Sequence, residues 1–260
     1  MRKRLICTLA LVVALAATFA GLAAAKKYPP TIIKVGNLVI ELNGGVTPTA
    51  LPKNKLSPIT LEVSGKISTA DGTHPPALKE VIFEADKNGT VNAKGLPVCT
   101  SGKLQATDTA AAEKACKSAI VGKGITNVEV EFPEQKPFIA KSKLLAFNGG
   151  VKGGTTTIFI HAYLSSPVSA AVVTTVKVSK VHNGRFGTKS IATIPKIAGG
   201  SGSVKEFQLK FHRDFTYKGK KQSYLLAKCP DGHFNAHATS VFSDGSKLVG
   251  DFVRACTPKG

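Results

Sequence analysis

The chain has 260 residues, with 35 lysines and arginines against 16 aspartates and glutamates, for a formal net charge of +19. Hydrophobic residues make up 43% of it, and it has five cysteines and no tryptophan. A positive field of this size favours anionic partners over cationic ones while leaving the fold open.

Arg2-Lys3-Arg4 precedes an apolar run from Leu5 to Leu22, and Ala23-Ala24-Ala25 precedes Lys26. This is the three-part form of a cleaved secretory signal peptide, so residues 1–25 are expected to be removed. A membrane anchor is the competing reading, because the run approaches the length of a span. The Ala-x-Ala site and the Tyr28-Pro29-Pro30 break favour cleavage. No second long apolar run follows, so no transmembrane span is expected afterwards. Cleavage leaves 235 residues and a charge of +16, of which +5 falls between Lys26 and Gly150 and +11 between Val151 and Gly260.

Residues 26–57 read as an N-terminal arm and linker, Val46 to Ser57 being Pro-rich and polar, and residues 58–260 read as a β-rich body. Period-two alternation predicts strands around Ile59–Ile67, Val81–Ala85 and Val128–Phe132. Further strands are expected at Ser142–Phe147, Thr155–Tyr163, Val172–Lys180, Ser190–Pro195, Phe207–His212, Phe234–Phe242 and Lys247–Ala255. Asn-Gly or Asp-Gly pairs beginning at Asn43, Asp71, Asn88, Asn148, Asn183, Asp231 and Asp244 are expected to turn the chain. Many short strands with such turns predict an all-β fold: a β-sandwich-like antiparallel body. Ser165-Ser166-Pro167 marks where two lobes would divide, near 165, although a single body is preferred.

One segment departs from this pattern. Thr109 to Ala119 is rich in strong helix formers and follows Asp108, a suitable N-cap, so one short helix is expected. Four cysteines remain after cleavage, an even count that reads as disulfides in an exported chain. Three pairings are possible, and Cys99 with Cys116 and Cys229 with Cys256 is favoured because each pair brackets one local unit. Zinc is the weaker reading, since no C-x-x-C or H-x-x-x-H cluster lies on a suitable element.

Several phrases together resemble a group of uncharacterised exported proteins of actinobacteria. They include Leu61-Glu62-Val63-Ser64-Gly65, Gly95-Leu96-Pro97-Val98-Cys99, Ala146-Phe147-Asn148-Gly149, Tyr217 to Tyr224, Ala227 to Gly232 and the closing Cys256. The resemblance covers most of the mature chain. It implies a bacterial cell-envelope or extracellular setting, and it brings no activity, cofactor or site residue.

No catalytic residue, cofactor or metal ligand is assigned from the sequence. Asp86 to Asn92 has a faint likeness to a calcium loop, but Pro97 stands where the distal glutamate belongs, and a turn explains the segment better. His233 and His237 share a strand face with Cα atoms about 13 Å apart, too far to hold one ion by themselves. No nucleophile elbow or phosphate loop is present. The strongest lead is a basic segment in which Lys210, Arg213, Lys218, Lys220, Lys221 and Lys228 interleave with Tyr217 and Tyr224. Such a surface fits an anionic envelope polymer or lipid headgroups, with nucleic acid less favoured. The competing reading is a hairpin whose lysines keep an edge soluble. The expected function is therefore an exported, non-catalytic envelope protein binding polyanions. A carrier of an apolar ligand between sheets and a hydrolase with a hidden site are the alternatives.

Overall fold

The computed structural model describes residues 28–165 and 169–260. The expected signal peptide, residues 1–25, and most of the Ser165-Ser166-Pro167 division lie outside them. Twelve strands form one sheet: β1 (Thr31–Val35), β2 (Leu38–Thr47), β3 (Thr60–Thr69), β4 (Leu78–Asp86), β5 (Ile120–Val130), β6 (Phe138–Lys152), β7 (Thr155–Leu164), β8 (Ala170–Asn183), β9 (Phe186–Thr193), β10 (Gly202–Phe211), β11 (His233–Phe242) and β12 (Lys247–Ala255). Their order across the sheet is β1-β2-β3-β10-β5-β6-β7-β8-β9-β4-β11-β12. Every neighbouring pair is antiparallel.

All-β architecture with one short helix is thus as expected. The body takes the form of a single sheet curled into a nearly closed barrel. Its two edge strands, β1 and β12, face each other without a hydrogen-bonded ladder. Side chains close this seam: Tyr28 Oη donates to the carbonyl of Ala255 at 2.8 Å, and Arg254 Nε donates to the carbonyl of Gly44 at 2.7 Å.

Strands β7 and β8 pair directly, Ala162 facing Val172, so the body is continuous across position 165 rather than divided there. The expected arm and linker at residues 26–57 are corrected as well. Thr31 to Thr47 supplies two barrel strands, and Ala50–Pro52 and Ser57–Pro58 form short strands at the barrel mouth. Asn43-Gly44 and Asn148-Gly149, expected as turns, lie inside β2 and β6. Their asparagines tie distant segments instead: Asn43 Nδ2 donates to Tyr28 O, and Asn148 Nδ2 donates to Pro97 O.

A ring of twelve strands is wider than the eight whose interior side chains alone can fill. Here the long connections supply the missing volume at one end. Ser57–Pro58, Leu225–Ala227 and Gly89–Val91 pair as a three-stranded sheet, and Thr257–Lys259 pairs in parallel with Ala50–Pro52. Leu51, Tyr224, Leu225 and Ala227 pack from this plug onto the inward-facing Leu144, Ala146, Ile158, Val176 and Leu209. The Cys229–Cys256 disulfide lies in the same core, joining the plug to the end of β12.

The helix covers the outer wall. Thr109–Cys116 forms α1, with Asp108 accepting from Ala111 N at 2.8 Å, and a 3₁₀ turn at Lys117–Ala119 follows where a longer helix was expected. Leu104, Ala112 and Ala119 pack over Leu145 and Phe147, the β6 residues that point outward, and the Cys99–Cys116 disulfide holds this flap closed. Both expected disulfide pairings are present.

Candidate functional site

In an antiparallel ring taken in this order, every even-numbered strand runs towards the plugged end and every odd-numbered strand runs away from it. The connections 48–59, 87–119, 153–154, 184–185 and 212–232 and the C-terminal residues 256–260 therefore all belong to the plugged end, with the helix segment folded down the wall. Together they carry fourteen lysines and arginines against four carboxylates. The connections 36–37, 70–77, 131–137, 194–201 and 243–246 at the opposite end carry two lysines against four carboxylates. Charge is thus polarised along the barrel axis, the arrangement that focuses a field on one surface.

The basic segment found in the sequence lies at the plugged end but does not act as one unit. Asp214–Tyr217 and Lys220–Ser223 pair as a hairpin, with Tyr217 opposite Lys220. The two turn residues have φ of 50° at Lys218 and 73° at Gly219, so both need the left-handed region that a tight hairpin turn demands. Lys218, Lys220 and Lys221 are exposed at this tip, with the Lys218 ammonium 5.8 Å from the centre of the Tyr217 ring.

The other members have separate roles. Lys210 is on the outer wall, paired with Glu62 at 2.8 Å. Arg213 is half-buried and donates to the carbonyl of Ser118 at 3.3 Å. The Tyr217 ring lies against Gly95. Lys228 is half-buried, and its backbone N–H donates to Asn88 O at 3.0 Å. Tyr224 is corrected: it is wholly buried in the plug core, its hydroxyl has no hydrogen-bond partner among the described residues, and burial pushes its phenol well above the usual range. It is a packing residue and presents nothing to a surface ligand.

The structure adds basic residues that the sequence reading left out. Lys53 and Lys259 are brought together, the Lys53 N–H donating to the carbonyl of Lys259 at 3.2 Å. Lys87, Lys94 and Lys180 are exposed at the same end. They are spread over three connections and strand β8, so a window along the chain does not gather them.

At the opposite end, Ser203, His74 and Glu129 line up in a way that resembles a hydrolytic relay. His74 Nε2 is 3.0 Å from Ser203 Oγ, and His74 Nδ1 is 3.0 Å from Glu129 Oε1. Ser203 Oγ also donates to Pro75 O at 2.7 Å, and Ser203 is 1% exposed. The amides of Gly200, Ser201 and Gly202 donate to the carbonyls of Ile197 and Ala198, so they are not free to stabilise an oxyanion. The geometry is that of a clasp pinning residues 70–77 to the wall, with Lys205 completing it 3.3 Å from Glu129.

The other chemical candidates resolve into structural roles. Asp86 is buried, and its two oxygens accept from Asn88 N, Asn88 Nδ2, Asn235 N and Asn235 Nδ2 at 2.8–3.2 Å. Four amides thus take the place that a cation would fill in a calcium loop. His237 and Asp251 pair at 3.1 Å on the outer wall. Among the described residues no group of three or more histidines, cysteines or carboxylates could hold a metal ion, and no helix is long and apolar enough to cross a membrane.

Comparison with protein-family models, with curated proteins and with solved structures finds no match. The two disulfides fit a chain that folds outside the reducing cytoplasm.

Proposed function

We propose that this chain is an exported, non-catalytic cell-envelope protein that binds an anionic polymer through the plugged end of its barrel. The observation that supports this reading is the polarisation of charge: fourteen cationic residues against four carboxylates in the connections of one end, and an acidic excess at the other. Loops on a rigid sheet are where binding residues concentrate, and here the barrel supplies the rigid base.

A polymer fits this end better than a membrane surface or nucleic acid. Leu56, Val98 and Val151 are large apolar residues exposed there, and the fourteen lysines and arginines of the same connections far outnumber them. Stacking platforms for bases need exposed rings. Tyr224 is buried and Tyr217 is laid against Gly95, so the two tyrosines of the basic segment do not form one.

The test is sedimentation or surface binding of the full mature protein with poly(glycerol phosphate), over a salt series and against an unrelated protein of equal net charge. Binding above that control, weakening as salt shortens the screening length below about 8 Å, supports the reading. Replacing Lys218, Lys220 and Lys221 together with Gln is expected to weaken it several-fold. Binding no better than the control overturns the proposal, and preferential binding to anionic vesicles or to single-stranded DNA would move it to those partners.

A further inference from the structure

The connection 87–119 leaves β4 and passes under the β8–β9 hairpin, and the two enclose a cleft of about 400 Å³ at the barrel mouth. Its basic side chains are those of Lys87, Lys180 and His182, its hydroxyls are those of Thr90 and Thr188, and no carboxylate lines it. Lys180 and Thr188 face each other across β8 and β9, on the side of the sheet that carries Val176 and Val178. Lys87 comes from the other wall, its N–H donating to the carbonyl of Arg185 at 3.0 Å. This approach depends on Gly187, since a Cβ there would stand 2.5 Å from Lys87 Cα. The close backbone contact sets Lys87 against the β8–β9 hairpin.

Lys87, Lys180 and His182 have no ion-pair partner among the described residues. The nearest acid in sequence, Asp86, is turned into the protein, where four amide N–H groups occupy its oxygens. The volume is within the range of sites for small ligands. From this cleft Gly89, Thr90 and Val91 run as a strand to Asn92, which donates to Gln222 in the basic hairpin at 3.1 Å. Three residues of strand span about 10 Å, so cleft and hairpin are neighbouring parts of one surface.

We propose that this cleft is a specific site for the phosphate group of a phosphorylated polyol, occupied by one repeat unit of a phosphodiester-linked polymer. The phosphate sits among Lys87, Lys180 and His182, and Thr90 and Thr188 hydrogen-bond the polyol hydroxyls. The exposed lysines of the Lys218–Lys221 tip then take phosphates further along the chain. The inference rests on the polymer-binding reading and deepens it: the surface is not uniform, and one place on it recognises the repeat.

The experiment titrates the full mature protein, with ¹⁵N-labelled backbone, with glycerol phosphate, inorganic phosphate and glycerol, and measures poly(glycerol phosphate) binding in parallel. Saturable shifts at Gly89, Thr90, Gly187 and Thr188 with glycerol phosphate, weaker with inorganic phosphate and absent with glycerol, support the site. Lys87→Gln with Lys180→Gln should weaken glycerol phosphate by about tenfold or more, because charge-assisted hydrogen bonds are the strong ones. The Lys218, Lys220 and Lys221 triple variant should leave it unchanged. Equal shifts in parent and double variant, or none in the parent, overturn the cleft even if the polymer still binds. Loss of polymer binding in the parent overturns the wider reading as well. Equal affinity for inorganic phosphate and glycerol phosphate overturns polyol recognition and leaves an anion site.

Discussion

Arg254 in β12 donates its Nε–H to the carbonyl oxygen of Gly44 in β2 at 2.7 Å, reaching past the line along which the barrel fails to close by backbone pairing. Its guanidinium lies 5.3 Å from the centre of the Tyr28 ring, and the Tyr28 hydroxyl returns to the carbonyl of Ala255. An open edge presents unpaired backbone groups, and these side chains occupy some of them. Arg254→Ala is therefore expected to lower stability by about 1–3 kcal/mol, through the lost charged hydrogen bond and ring contact. Arg254→Lys should recover only part of this, because an ammonium has no planar fork. Urea unfolding measures both, and an Arg254→Ala midpoint equal to the parent's would show that the seam needs no clamp.

Tyr224 gives a prediction of the opposite sign. A buried hydroxyl without a partner lowers stability, so Tyr224→Phe should be neutral or stabilise by up to about 1 kcal/mol. A destabilised variant would reveal a hydrogen bond to the hydroxyl.

His161 is buried beneath the helix flap, with Nε2 2.8 Å from the carbonyl of Thr107 and Nδ1 without a partner among the described residues. Burial lowers its pKa, which keeps the ring neutral, and Nε2 is then the donor. The unfolded chain, with an ordinary histidine pKa near 6.5, binds this proton first as pH falls. Stability from this residue is thus fully present above about pH 6.5 and is lost below it, at no more than about 1.4 kcal/mol per pH unit. Unfolding midpoints compared between pH 5 and 7.5 should show His161→Gln with a shallower decline than the parent. Parallel declines would mean that the ring does not titrate on unfolding.

The two disulfides close segments with sequence separations of 17 and 27 residues. On the loop-closure model each contributes about 3 kcal/mol, the longer one slightly more. Replacing Cys229 and Cys256 with Ala should lower the melting temperature more than replacing Cys99 and Cys116, since the former pair joins the plug core to β12 and the latter holds only the flap. Thermal unfolding of the two double variants decides the order, and non-reducing peptide mapping checks the pairing.

The sequence by itself determined most of the elements, though not β1 and β2, which it read as an arm. Alternation in segments such as Phe234–Phe242 follows from one face meeting the core and the other meeting water, a local pattern that survives without knowledge of the partner strand. Asp108 and the alanines after it specify the helix in the same way, and the closeness of Cys99 to Cys116 and of Cys229 to Cys256 points to their pairing. Local rules misread Asn43 and Asn148, because their side chains serve segments distant in sequence. They also misplaced Tyr224, since a phenol among lysines carries no local sign of burial. Closure of the ring, the plug and the gathering of Lys53, Lys87, Lys180 and Lys218 at one end were decided only by the tertiary structure. The physical reason is that antiparallel pairing sends alternate connections to opposite ends, so charges far apart along the chain meet once strand order and direction are set.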